Sequence, residues 1–330
     1  MRTSFWTLIL FLAACTARTP DSYVLTGKAQ GTTFQIKYHG DMASDYSEEV
    51  QEVLEAVDVS LNLWREDSFI SKVNEAKDSV NVIPNDDRYF AELTDMSKQV
   101  HHKTRGAFNP SVYPLVKAWG FGAISPDSDT IPDVKGILAE YAIEGFPVII
   151  AAIGPDEALM KPPNMELDFN AIAQGYTVDL ICRLLEEKGV EDYLVEVGGE
   201  LRAGGVREDG SSWVVAVEKP EDGARSVLES FELNDAAMAT SGNYRKYVVR
   251  EGKRYSHTID PISGYPVSHT LLSATVITST CALADAYATS LMVMGVDQGL
   301  EFARTQDLEV LLVYSVGEAY EMTGTGRFEE

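Results

Sequence analysis

The sequence predicts an α+β fold of mixed, largely antiparallel sheets with packed helices, and three observations carry the prediction. Short alternating segments come in pairs around tight-turn residues, as where KYVV and RYSHTID flank REGK. Helical patterns are interspersed among these pairs. No regular strand-helix-strand rhythm, of the kind that builds a doubly wound parallel sheet, runs through the chain. With 330 residues the chain can bury a sizeable core, as one large domain or two closely packed lobes.

Taken in order, MRTSFWTLILFLAAC reads as an export signal. Arg2 supplies its positive end, Phe5 to Ala14 an apolar run too short to span a bilayer, and small residues precede Cys15. Residues 16–22 read as a polar linker, and residues 23–330 are expected to form a single domain. KAQGTTFQIKYHG alternates as a strand with Phe34, Ile36 and Tyr38 on one face. A helix is expected from Asp45, capped with Glu48, and Val50, Val53, Leu54, Val57 and Leu61 form its apolar stripe. A second helix runs over roughly 87–104 and stops at Gly106.

GAFNPSVYPLVKAWGFG, rich in Gly, Pro and aromatics, reads as ordered loop or short helix, which either plugs the core or lines a site. MELDF is expected as a strand leading through a turn into the helix AIAQGYTVDLICRLLEEKG. Its Ile172, Tyr176, Leu180, Ile181, Leu184 and Leu185 keep helical spacing, and Gly189 ends it. YLVEVGGELRAGG and SSWVVAVEKP read as further antiparallel strands. LLSATVITS is a strand running into the apolar helix CALADAYATSLMVMG, and EVLLVYSVGEAYEM closes the chain as a hairpin.

Fifty-one acidic residues against 27 basic give a net charge of −24, a field that repels nucleic acid and anionic lipid surfaces and excludes nucleic-acid binding. Beyond Cys15 only Cys182 and Cys281 remain. They leave room for one disulfide, although two buried, inert thiols suit their helical positions better. There is no CxxC, and the five histidines show no zinc-site spacing, so structural zinc is not expected.

One charge stands out inside an apolar pattern. Asp285 and Thr289 are four apart on the last helix and project from one face. A buried carboxylate without a partner costs several kcal/mol. These two residues alone leave two readings open: Asp285 caps or hydrogen-bonds a neighbouring element, or carboxylate and hydroxyl together hold a hard cation such as Mg2+. Four segments share a polar and glycine signature: LDFNAIAQGY, VEVGGELRAGG, ATSGNYRKY and SHTIDPISGYPV. Each alone is an ordinary turn. Together they suit a phosphate ester on a metal, because backbone amides in Gly-rich turns and at helix starts bind phosphate oxygens.

Read together, GTTFQI, EDSFISKVN, GAFNPSVYPLVKAWGFG, LDFNAIAQGYTVDL, YLVEVGGELRAGG, ATSGNYRKY, HTIDPISGYPV and ALADAYATSLMVMG resemble, in this order, the ApbE family of FAD:protein FMN transferases. LAAC resembles the lipobox of bacterial lipoproteins. The resemblance implies an ApbE-like, T-fold-related α+β fold of two intimately packed lobes. It also implies a protein lipidated at Cys15, held to a membrane by the lipid alone and facing the periplasm. The implied reaction is Mg2+-assisted transfer of the FMN half of its substrate FAD to a threonine hydroxyl of an acceptor protein, with release of AMP. The implied acceptors are redox-pump subunits of the sodium-translocating NADH:quinone reductase (Nqr) and Rnf types.

Carried over by motif, the metal ligands are Asp285, Thr289 and the backbone carbonyl of Ala171. Flavin-binding positions are Asp168, Gln174, Phe108, Asn109, Pro110, His257 and Ile259, with Gln30 and Ser71 as further matches. Many relatives carry Lys or Glu where Gln174 stands, which weakens any charge-based role there. Trp64 falls where an aromatic residue can stack on the isoalloxazine. Asp285 and His257 both stand as candidates to take the proton of the acceptor hydroxyl. Two other readings use the same pocket: hydrolysis of FAD to FMN and AMP, and an FAD-binding lipoprotein without catalysis.

Overall fold

The computed structural model describes residues 21–76, 83–84, 87–123, 129–143, 145, 149–151, 158–221, 226–244 and 246–329. The segment read as an export signal, with Cys15, lies outside the described residues. The chain opens with β1 (Asp21–Ala29), β2 (Thr32–Gly40), α1 (Ser47–Leu61), α2 (Phe69–Glu75), β3 (Ile83–Pro84) and α3 (Arg88–Lys103). It continues with α4 (Tyr113–Trp119), α5 (Val134–Glu140), β4 (Ile149–Ala151), β5 (Ala158–Met160), α6 (Ala173–Glu187), β6 (Asp192–Val197), β7 (Glu200–Gly204) and β8 (Trp213–Glu218). The remainder is β9 (Val227–Leu233), β10 (Ala236–Gly242), β11 (Tyr247–Arg250), β12 (Lys253–Ser256), β13 (Leu271–Thr278), α7 (Cys281–Thr305), β14 (Glu309–Val316) and β15 (Ala319–Gly324).

Eight strands pair antiparallel in one sheet, in the order β1-β2-β6-β7-β10-β13-β14-β15. The α+β expectation holds. Strict alternation gives this sheet two apolar faces. In β14, Val310 and Leu312 join the helical core with Tyr176, Ala286 and Leu291, whereas Leu311 and Val313 face the β8–β9 hairpin and pack with Trp213, Val215 and Leu233. Helices α6 and α7 therefore lie on one face, and their N-terminal ends meet over the middle strands.

Several expectations need correction. Asp21 and Ser22, read as the end of a linker, are the first residues of β1, which pairs with β2 along nine positions. Asp45 does not cap α1: its carboxylate accepts from Ser47 N (3.0 Å), and the residue at the cap position is Tyr46, which makes no side-chain capping bond. MELDF is not a strand. Leu167 is instead clamped from both sides by one side chain, donating to Asn74 Oδ1 (2.7 Å) and accepting from Asn74 Nδ2 (2.9 Å). Asp168 N then donates to Pro110 O (2.7 Å), so the extended backbone is satisfied without a ladder. Cys182 and Cys281 are both buried and free.

Candidate active site

The site begins where the N-termini of α6 and α7 touch. A Cβ on Gly175 would lie 2.3 Å from Cys281 O, so only glycine fits this approach. That closeness lets Gly175 N–H donate to Asp285 Oδ2 at 3.1 Å. Asp285 is 6% exposed, and burial pushes its carboxyl up to about 7 while the Gly175 N–H pulls it back. One turn on, Thr289 Oγ1 lies 3.1 Å from Ser241 Oγ at the end of β10. The helix carrying both is fixed by Asp179, whose carboxylate accepts from Cys281 N (3.0 Å) and Ala282 N (2.9 Å) and faces Arg202. Ala171 sits in the short turn that leads α6 into place, half-buried, four residues before Gly175.

The β6–β7 turn closes over this point. Gly198 and Gly199 take φ of 72° and 111°, which L-residues rarely adopt. A Cβ on Gly198 would stand 2.7 Å from Gln174 Nε2, 3.0 Å from Thr32 Cγ2 and 3.1 Å from Glu200 Oε2. Three segments distant in sequence thus converge on a space that a glycine keeps open. Glu200 is buried, and its Oε2 has no hydrogen-bond partner. Burial chiefly, and then the charge of Asp285, push its carboxyl well above the usual range. Gln30, in the β1–β2 turn, donates through Nε2 to Thr177 Oγ1 (2.7 Å), while its Oε1 is buried without a partner.

A second group gathers around Lys246. Burial pushes the Asp168 carboxyl up to about 6, against the pull of Asn170 N–H and the charge of Lys246. Burial and then Lys246 push His257 down to about 4, so its imidazole is neutral at pH 7. His257 Nδ1 is buried without a partner, and the ring packs edge-on against Phe121 with centroids 6.2 Å apart. Ile259, two residues on, is buried and bridges to Pro266.

Other residues expected at the site are engaged in holding the frame. Asn109 spends its side chain on Ser111 N (3.0 Å), Ser111 Oγ (2.7 Å) and Ile143 O (2.6 Å). Phe108 is a core residue whose N–H donates to Thr104 Oγ1, and Pro110 is buried at the start of a short 3₁₀ turn. Ser71 Oγ donates to Arg65 O (2.9 Å) and accepts from Ser68 Oγ (2.9 Å). Trp64 is 57% exposed. The structure therefore sets Asp285 against the α6 start at Gly175, Thr289 against Ser241 and Gln174 against the Gly198 turn, while Asp168 and His257 share only the nearby charge of Lys246. The segment from Asp168 to Gly175 joins the two groups.

Sequence reasoning missed Asp179, Glu200, Ser241, Lys246 and Asn74. Each lies inside a quoted motif, but only a tertiary view shows that Asp179 caps α7, or that Glu200 turns inward. Among the described residues no three His, Cys, Asp or Glu side chains form a ready-made ligand set. What is present is a carboxylate and a hydroxyl one turn apart on α7, beside the α6 start that follows the Ala171 turn, with a second carboxylate oxygen, on Glu200, buried and unsatisfied. That chemistry fits a hard divalent cation which keeps part of its water.

The fold and the site define an α+β protein in which oxygen-bearing side chains gather where two helix starts meet, beside a glycine turn. The chain belongs to the ApbE family, which matches over residues 30–312. It is 34% identical to the FAD:protein FMN transferase of Vibrio cholerae, over 97% of this chain and 96% of that protein. The apo flavinyl transferase ApbE of Pseudomonas stutzeri superposes with a TM-score of 0.82 at 34% identity, covering 94% of this chain and 97% of that one. The flavin transferase ApbE from Vibrio cholerae gives 0.81 at 32% identity, over 94% and 98%.

Proposed function

We propose that this protein transfers the FMN half of FAD to a threonine hydroxyl of an acceptor protein and releases AMP. The observation that carries the reading is the convergence of Asp285, Thr289, Gln174 and the Gly198 turn at two helix starts, in a chain similar along its length to FAD:protein FMN transferases. In the reaction, the acceptor oxygen bonds to the phosphorus on the FMN side of the pyrophosphate. The bond from that phosphorus to the bridging oxygen breaks, and AMP leaves with the electron pair.

Asp285, Thr289 and the Ala171 carbonyl would hold a magnesium ion, whose chemistry when bound is to neutralise charge on the phosphates. Glycine turns and helix starts suit phosphate oxygens in general, but here the N–H groups of Gly198 and Gly199 are spent on Thr33 O (3.0 Å) and Glu196 Oε1 (2.8 Å), and that of Gly175 on Asp285. Asp285 and His257 are the candidates to take the hydroxyl proton: the Asp285 carboxyl is pushed up to about 7, and His257 is neutral with Nδ1 unpartnered but, pushed down to about 4, a weak base. Alignment of acceptor and FAD supplies much of the remaining rate.

The leader ending at LAAC supports a lipid-anchored protein at the periplasmic face of a membrane, and the family resemblance supports redox-pump subunits of the Nqr and Rnf types as acceptors. Mass spectrometry of an acceptor subunit after incubation with the full chain, FAD and Mg2+ tests the reaction. The expected result is a mass increase of one FMN on the target threonine with equivalent AMP. AMP and free FMN formed equally fast without acceptor would replace transfer by hydrolysis, and intact FAD throughout would leave a flavin-binding protein.

A further inference from the structure

Glu200 is buried within reach of the Asp285 charge and has no role in the chemistry described so far. It opens β7 directly after the Gly198–Gly199 turn, and its residue is 8% exposed. A carboxylate oxygen withdrawn from water and left without a hydrogen bond costs several kcal/mol, and such groups are normally partnered. Glu200 Oε2 has no partner among the described residues. It lies 3.1 Å from where a Cβ on Gly198 would stand, with Gln174 Nε2 2.7 Å from the same point, and the charge of Asp285 acts on it.

A cation held by Asp285, Thr289 and the Ala171 carbonyl completes its shell with water and phosphate oxygens, because magnesium sheds water reluctantly. A cation-bound water is a strong donor, and Glu200 Oε2 is a strong acceptor with nothing else to accept from. We propose that Glu200 is a positioning residue of the cation site, fixing a water of the cation's hydration shell beside Asp285. The inference rests on the cation reading above and deepens it. The competing role is structural: Glu200 and Asp285 share a proton and tie β7 to α7.

Titration of the full chain with Mn2+ alone, following the free-ion paramagnetic resonance signal, separates the two. Glu200→Gln keeps the shape and removes the charge. It is expected to weaken Mn2+ binding by roughly 10- to 100-fold, as loss of outer-shell partners does, with a melting temperature in chelator no lower than wild type. Glu200→Asp, which keeps a carboxylate, should bind Mn2+ better than Glu200→Gln. Unchanged affinity in Glu200→Gln, with binding lost in Asp285→Ala, would overturn the role of Glu200 and leave the cation site standing. So would an Asp variant no better than Gln. Absence of Mn2+ binding in the wild type would overturn the cation site itself, and this inference with it.

Discussion

The two sides of the candidate site treat their polar atoms differently. The side chains of Asn109 and Ser71 are closed on the chain itself: Asn109 holds Ser111 and Ile143, and Ser71 holds Arg65. Around α6 and α7, by contrast, polar atoms are buried and left open, as at Glu200 Oε2 and Gln30 Oε1. Both sides carry family motifs. The difference teaches that residues recurring in one motif can divide into those that shape a pocket and those that meet what enters it, and that hydrogen-bond satisfaction tells them apart.

Substitutions on the open side should therefore change activity more than stability, and substitutions on the closed side the reverse. The largest effect is expected from Asp285→Ala. Removing the proposed cation carboxylate forfeits several kcal/mol of charge neutralisation, about 10³-fold in transfer rate, which AMP release measures. A loss below tenfold would break the contrast. Next comes Asn74→Ala, on the closed side. It frees both the N–H and the C=O of Leu167 and should cost about 1–3 kcal/mol of stability, read by denaturant unfolding, with transfer by the folded fraction little changed.

His257 sharpens the comparison through pH. Its folded pKa is pushed from 6.5 down to about 4, so the unfolded chain takes up the proton first as pH falls. The stability that this neutral histidine contributes is full above 6.5 and is lost as pH falls toward 4. Asp168, pushed up to about 6, slopes the opposite way over part of that window. The histidine's share is therefore read as a difference: wild type should lose melting temperature on acidification relative to His257→Gln. Parallel profiles would contradict its burial as a neutral base. The smallest effect is expected at exposed Trp64, where replacement by Ala should change stability by no more than about 0.5 kcal/mol and act, if at all, on the KM for FAD.

Much of this was legible in the sequence, for physical reasons that also explain what was not. Asp285 was visible because a charge in an apolar helix is costly, and the tight turns at Gly198, Gly199 and Gly189 were visible because glycine marks positive φ. β1 escaped notice because it is an edge strand with no fully buried residue, so its alternation carries little hydrophobic signal. MELDF alternates like a strand, yet its partner is the side chain of Asn74, and no local pattern encodes a partner 93 residues away. Glu200 was hidden for a related reason. A glutamate after a glycine turn reads as solvent-facing until the fold sets it against α7. Asp179 likewise carries no local signal, and only the meeting of two helix starts makes it a cap.

The central claim is metal-dependent flavin transfer at the open side of the pocket. Its most direct test incubates the full chain with FAD, Mg2+ and an acceptor subunit carrying the target threonine, followed by denaturing electrophoresis and in-gel flavin fluorescence. A fluorescent acceptor band that is lost with chelator and in Asp285→Ala is the predicted result. A band of equal strength in Asp285→Ala, or one indifferent to chelator, would contradict it.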